Sequence, residues 1–295
     1  MNRKAHRKIL PAMLILLLSI ALTSTATYAW FSMNTTAKGT GMTVTSTAPT
    51  NMLISVDAVH WENGVTANTA VSGGFSPAST VDGKTFFALA ATDGIAVTGD
   101  IVRENGVNPN IGEVQLAQVN RVADSNTYYA EVALYIKAGE QTGLTEDLEL
   151  YLKSMTVETA SLTDIANCVR VSITSAGQYT ETAGAVTSFA ADGTPMVGET
   201  PLVETTAVIY KYDTVTAVSP VSAVNGAGTP TLTADTARVP GDNTATRFTV
   251  DYTGAKYTTV IVRIWLEGQH EACVNEISGE SITVGLEWEA SNYSA

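Results

Sequence analysis

From Thr127 to Ala138 apolar side chains fall on every second residue. Tyr128, Ala130, Val132, Leu134 and Ile136 point one way, and Tyr129, Glu131, Ala133, Tyr135 and Lys137 the other. A period of two is what a half-buried β-strand imposes, because successive side chains of an extended backbone leave on opposite faces. The pattern returns in Thr258 to Glu267, where Val260, Val262, Ile264 and Leu266 oppose Ile261, Arg263, Trp265 and Glu267. It returns again in Ser281 to Glu289, with Ile282, Val284, Leu286 and Trp288 inward and Thr283, Glu287 and Glu289 outward. Leu148, Leu150 and Leu152 alternate in the same way with Glu149, Tyr151 and Lys153. Cys168 to Thr174 and Leu202 to Tyr212 read as further strands, as do the weaker Thr40 to Ser46, Asn51 to Asp57 and Phe86 to Ala90. In the first of these, Met42 and Val44 share a side opposite Thr43 and Thr45. Ser161 to Asn167 allows one helical turn, but no stretch beyond the N-terminal region keeps a 3.6-residue apolar period for three turns.

Turn chemistry agrees with this reading. Asn63-Gly64, Asp82-Gly83, Asp93-Gly94, Asn105-Gly106, Asp192-Gly193 and Asn225-Gly226 suit the positive φ angles of tight hairpins. Their spread favours many short antiparallel strands over alternating strand–helix units. Charged residues make up 15% of the chain, below the usual level of about 25%, and Thr, Ser, Ala and Val take their place. Thr and Val both fit a pleated surface, so an all-β fold is expected. Residues 175–242 are rich in Ala, Gly, Thr, Ser and Pro, and read as long hairpins and loops inserted on the main fold, with a separate small domain or linker as the alternative.

The N-terminus sets the destination. Arg3, Lys4, Arg7 and Lys8 precede an apolar run from Ile9 to Leu22, and small residues follow it up to Ala29. That is the plan of a secretory signal peptide over residues 1–29. Cleavage between Ala29 and Trp30, with Thr27 at the minus-three position, fits the small-residue rule, and a cut after Ala26 fits nearly as well. The alternative is a retained anchor, although the run is shorter than the roughly 20 apolar residues of a spanning helix. A type IV pilin start would need a Gly before the run and a Glu within it, and Arg7-Lys8 and an acid-free run stand there instead.

Thr27-Tyr28-Ala29-Trp30-Phe31-Ser32 resembles the cut site of exported proteins processed by a SipW-type signal peptidase, among them the TasA/camelysin family of biofilm matrix fibre proteins. The chain departs from that pattern at Met33-Asn34, where acids are common, and at Ser24-Thr25, where a Gly is common. The Trp265-Leu266-Glu267-Gly268 turn, a Cys-containing loop and a closing strand give a weaker likeness at the other end. The resemblance implies an antiparallel β-sandwich or jelly-roll-like body over residues 48–295, and assembly by lending the N-terminal strand, residues 30–47, to a neighbour. Trp30, Phe31, Met42 and Val44 would be the residues of that polymerisation strand. The alternative is that the segment folds back as an edge strand of its own sandwich.

The whole chain carries a net charge of −13, and since the signal segment holds four of the 16 basic residues and none of the 29 acids, the exported part carries −17, which repels nucleic acid and anionic membrane. Membrane contact is expected only through the signal segment. No calcium-loop spacing of acids is present. Cys168 and Cys273 both fall in the exported part, where one disulfide would contribute about 4 to 5 kcal/mol in the chain-entropy model, with two free buried thiols as the alternative.

Chemistry-bearing motifs are sparse. His270-Glu271 opens like a zinc-protease helix, but Val274 stands where the second His is needed, so the metalloprotease activity sometimes ascribed to camelysin-like proteins is not carried over. His60 is the other histidine of the exported part, and neither a nucleophile elbow nor a phosphate-binding loop occurs. No enzyme activity, cofactor or metal is expected. Trp61, beside a turn, and Trp265, opposite the core pattern, are candidates for stacking on a sugar ring, while Trp288 reads as core. The expectation is therefore a secreted structural protein of the cell surface or biofilm matrix, polymerising with itself after signal peptidase processing. Other matrix proteins or cell-wall glycans are candidate partners, and a monomeric cell-surface adhesin or carbohydrate-binding module is the alternative function.

Overall fold

The computed structural model describes residues 41–48, 52–69, 76–80, 82–89, 101–103, 115–119, 127–139, 146–159, 163–180, 184–189, 194–198, 200–212, 221–222, 231–232, 237–238, 240, 248–267 and 281–292. Ala29, Trp30, Phe31, His270, Cys273 and the Asp93, Asn105, Asp192 and Asn225 turns lie outside them. Among the described residues 67% are in strands, and there is no α-helix. The expected helical turn is a 3-10 turn over Thr163–Cys168.

The early strands are β1 (Gly41–Thr47), β2 (Met52–Ser55), β3 (Gly64–Thr69), β4 (Phe87–Leu89), β5 (Ile101–Arg103) and β6 (Gln115–Gln118). Then follow β7 (Tyr129–Ala138), β8 (Leu148–Thr159), β9 (Val169–Thr180), β10 (Val186–Phe189), β11 (Pro195–Val197) and β12 (Thr200–Pro201). The last are β13 (Val208–Lys211), β14 (Val221–Ser222), β15 (Thr231–Leu232), β16 (Phe248–Val250), β17 (Lys256–Leu266) and β18 (Ser281–Asn292).

Two five-stranded sheets carry the fold: sheet I in the order β16-β8-β18-β1-β3, and sheet II in the order β13-β9-β17-β7-β2. Every pairing within them is antiparallel except β1 with β18, which run parallel. The sheets curl into a half-barrel. The small sets β4-β6-β5, β10-β11-β12 and β14-β15 occupy the connections.

The apolar faces read from the sequence meet in one core. Val260, Val262, Ile264 and Leu266 of β17 and Ala130, Val132, Leu134 and Ile136 of β7 join Ile282, Val284, Leu286 and Trp288 of β18 there. Leu148, Leu150 and Leu152 of β8 belong to the same cluster, as do Met155 and Val157. The parity change within β8 has a local cause: Glu287 pairs with Ser154 but Trp288 pairs with Leu152, so Lys153 is an extra residue. A bulge of this kind turns the strand by one side-chain position, and the simple alternation stops there. In β9 a second irregularity falls between its pairings with Thr258 and Val260, beside Gly177 at φ 98°, which is why the sequence pattern fades after Thr174 although the strand continues to Thr180.

Three expectations are corrected by the geometry. Leu202–Tyr212 is not one strand: only Val208–Lys211 pairs, because Leu202 is buried and Glu204 is drawn onto an arginine of sheet II. Ser175–Thr180 belongs to β9 rather than to the inserted region. Asn63-Gly64 does not form a positive-φ turn, since Gly64 already pairs with Thr47 in the β1–β3 ladder. Asp82-Gly83 does, with Gly83 at φ 68°.

Candidate functional site

The seat of β1 is where the sequence placed the polymerisation strand. Alternation of Met, Thr, Val, Thr and Ser sends Met42, Val44 and Ser46 into the core, where they are 2%, 1% and 1% exposed. On one side Met42 pairs with Ile282 and Val44 with Val284, and on the other Val44 pairs with Ala67 and Ser46 with Val65. Ser46 is a polar residue on an apolar face, and it has a defined job. The Trp288 indole Nε1 donates to its Oγ at 2.8 Å, which spares a buried N–H the cost of lying unpaired. Phe248 meets the Trp288 ring edge-on with centroids 6.2 Å apart. On the outer face Gly285 leaves room for Thr45 and Thr156 to close over β18, since an added Cβ would collide with the Thr156 hydroxyl and stand 3.2 Å from that of Thr45. In this structure β1 is thus folded into its own chain, as an inner strand rather than the edge strand of the folded-back alternative.

The outer face of sheet II carries the chemistry that alternation alone did not reveal. Ile261, Arg263, Trp265 and Glu267, expected to oppose the core, are all buried. Arg263 sits between two carboxylates: its Nε donates to Glu131 Oε2 at 2.7 Å and its Nη2 to both oxygens of Glu204 at 2.7 Å. Thr174 Oγ1 donates to Glu204 at 3.0 Å. A buried guanidinium is tolerable only with such partners. The legible sign was an arginine amid Val-Ile-Val and Ile-Trp-Leu. Beside it Ser172 Oγ donates to the Gly83 carbonyl at 2.6 Å, and Lys84 Nζ to the Thr205 carbonyl at 3.0 Å, so the segments around 83 and 204 are tied to the sheet and to each other.

Trp265 cannot serve as a glycan platform. It is 0% exposed, with Phe86 edge-on at 5.1 Å and its Nε1 donating to Glu267 at 3.3 Å. Phe86 in turn stacks on Tyr129 at 4.3 Å, and Ser79 Oγ donates to Glu267. The inserted segment before β4 is what covers this face, a long-range contact that strand periodicity cannot encode. Trp61 is different: it stays partly exposed, with Lys137 Nζ 4.3 Å over its ring and Tyr257 at 6.0 Å. Tyr257 donates to the Gly184 carbonyl at 2.5 Å, and burial pushes its hydroxyl up to about 12. Burial also raises Tyr135, whose oxygen accepts the Val186 N–H at 2.6 Å.

His60 is exposed, and its Nδ1 lies 2.6 Å from Asp57 Oδ2. The hydrogen bond from His60, with those from the main chain of His60 and Val59, holds the Asp57 carboxyl well below its ordinary value, and the same bond raises His60. Asp57 thereby closes a tight loop in which Ala58 takes a positive φ of 57°. Cys168 is buried in the main core, and its candidate partner Cys273 lies outside the described residues. Among the described residues no helix is long and apolar enough to cross a membrane. Comparison of the chain with protein-family models, with curated proteins and with solved structures finds no match.

Proposed function

We propose that the chain is a secreted structural protein of the cell surface or biofilm matrix, a jelly-roll-like β-sandwich that assembles into filaments by donating its N-terminal strand. The observation that carries this reading is the position of β1. It is the first of the described strands in chain order, yet it fills an inner place of sheet I, between β18 and β3. An inner strand at the start of a chain can be supplied by a neighbour with every contact preserved, since Met42, Val44 and Ser46 would meet the same groups in the next subunit. Head-to-tail repetition of such a contact does not close, and gives a fibre. The link of residues 48–51 spans at most about 14 Å when extended, so donor and acceptor would pack directly against each other. The signal-peptide resemblance and the mature terminus at Trp30 and Phe31 belong to the same reading. The competing adhesin or glycan-binding reading now rests on Trp61 alone, with one ring face already occupied by Lys137.

Negative-stain electron microscopy of the chain beginning at Trp30, beside one beginning at Thr47, tests the proposal. Filaments are expected from the first alone. Dispersed particles from both would overturn it and move the weight to Trp61 and sugar binding.

A further inference from the structure

Strand β1, Gly-Met-Thr-Val-Thr-Ser-Thr, says little about its own position along the ladder. A slip of one residue would turn every side chain to the wrong face, and the core forbids it. A slip of two keeps the faces. On the outer face it exchanges threonine for threonine, since Thr43, Thr45 and Thr47 are alike. On the inner face it carries Met42 into the seat of Val44, and a methionine adapts to a seat of another shape. The apolar neighbours, Ile282, Val284 and Leu286 of β18 and Val65 and Ala67 of β3, distinguish one apolar side chain from another only by volume.

One contact is not interchangeable. Ser46 is 1% exposed and Trp288 is 2% exposed, and the Ser46 Oγ accepts the Trp288 Nε1–H at 2.8 Å. Across the ladder Ser46 faces Leu286, so its hydroxyl reaches one inward position further along β18 to find the indole. A two-residue slip in one direction puts Val44 in that seat. A slip in the other puts Ala48 there, and takes two residues out of the link of residues 48–51. Neither side chain accepts a hydrogen bond. A buried N–H left without an acceptor carries the full cost of its desolvation, so both slipped registers are penalised at this seat alone.

We infer that Ser46 sets the register of β1 against β18, and that the seat beside β18 selects a strand with a small hydroxyl at its third inward position, after Met42 and Val44. The Trp288 indole is the group that reads it. A single buried polar residue does the same for coiled coils, where one asparagine among interchangeable apolar positions fixes how two helices align. The inference rests on the seat of β1 and holds whichever chain supplies the strand. If β1 is donated, the Ser46–Trp288 contact aligns each subunit with the next. If β1 stays in its own chain, the same contact aligns that chain with itself.

The test uses the full chain with Glu287→Cys joined to one of two changes. Thr47→Cys is its partner in the observed register, and Thr45→Cys comes level with it only after the slip that carries Val44 into the seat of Ser46. Disulfides formed under mild oxidation are mapped by mass spectrometry of peptides, so bonds within and between chains count alike and those of Cys168 and Cys273 are set apart. With Ser46 in place, the bond between positions 47 and 287 forms and the bond between 45 and 287 is scarce. Ser46→Ala should raise the yield of the slipped bond about tenfold. Trp288→Phe, which keeps a ring but removes the N–H, should raise it in the same way. Val44→Ala loosens the same strand without touching the Ser46–Trp288 contact, and should leave the yield low. A slipped bond no more abundant in Ser46→Ala and Trp288→Phe than in the parent, or one that rises as much in Val44→Ala, overturns the inference. A bond between 47 and 287 found only within single chains of an assembled preparation would count against strand donation and leave the register inference standing.

Discussion

The two sheets share one core and differ in everything on their other faces. Sheet II is covered twice: along β17 every residue from Tyr257 to Leu266 is buried, and its outer face packs under Phe86, Val197, Leu202 and Glu204. Sheet I is covered once. Its outer face presents Lys153, Thr156 and Glu158 from β8 and Glu287 from β18 to solvent. The difference shows where this chain spends its inserted segments, and it leaves the parallel β1–β18 seam in the sheet that keeps one wet face.

The sharpest way to break this comparison is to remove one charge from each side. Arg263→Ala leaves Glu131 and Glu204 facing each other with no cation, and should cost about 3–5 kcal/mol in urea unfolding. Lys153→Ala, which removes an exposed pair with Glu287 at 2.9 Å on sheet I, should cost less than about 1 kcal/mol. Equal costs would mean that the outer layer does not bury sheet II. Trp265→Ala belongs to the same side: a loss of about 3–5 kcal/mol in the same assay is expected of a buried indole, whereas a surface platform would lose binding and keep its stability.

Much of the fold was legible for the same reason that sheet I is simple. A strand with one wet face must alternate, and Ile282, Val284, Leu286 and Trp288 against Thr283, Glu287 and Glu289 gave the inward set of β18 correctly. Sheet II breaks the code without breaking the pattern. Val260 to Trp265 still alternates between two faces, but both are dry, and nothing local in Arg263 or Trp265 reveals that residues some sixty or more positions away will cover them. Glu204 reaches Arg263 from a segment that reads as a strand only because Leu, Val, Ile and Tyr crowd it. The bulge at Lys153 was hidden likewise, since an extra residue mimics the end of a strand. At the candidate site, Met42 and Val44 were visible by period, while Ser46 was not, because a serine acquires its meaning only from the Trp288 indole above it.

Smaller effects sharpen the picture of sheet I. Gly285→Val forces a side chain between Thr45 and Thr156, and should destabilise by about 1–3 kcal/mol. Thr156→Ala in the same chain should recover part of that loss in a double-mutant cycle, which reports the crowding directly.

The smallest effect concerns the Asp57–His60 loop. Because His60 is raised in the folded state, its contribution is fully present below the ordinary histidine value near pH 6.5 and is lost as pH rises through the raised folded value. Asp57 is depressed, so the same pair also weakens as pH falls through its low folded value. Titration of the His60 ring by NMR should show a midpoint above that of a free histidine, returning toward it in Asp57→Asn.

The most direct measurement of strand donation is covalent. Thr43 and Thr283 are directly paired across the parallel β1–β18 seam, on its outer face. With both changed to cysteine, a strand donated between subunits predicts that oxidation under assembly conditions gives a ladder of disulfide-linked multimers on a non-reducing denaturing gel, absent from either single variant. Cross-linked monomers alone, from a preparation that has assembled, would contradict donation and leave β1 as a strand of its own chain.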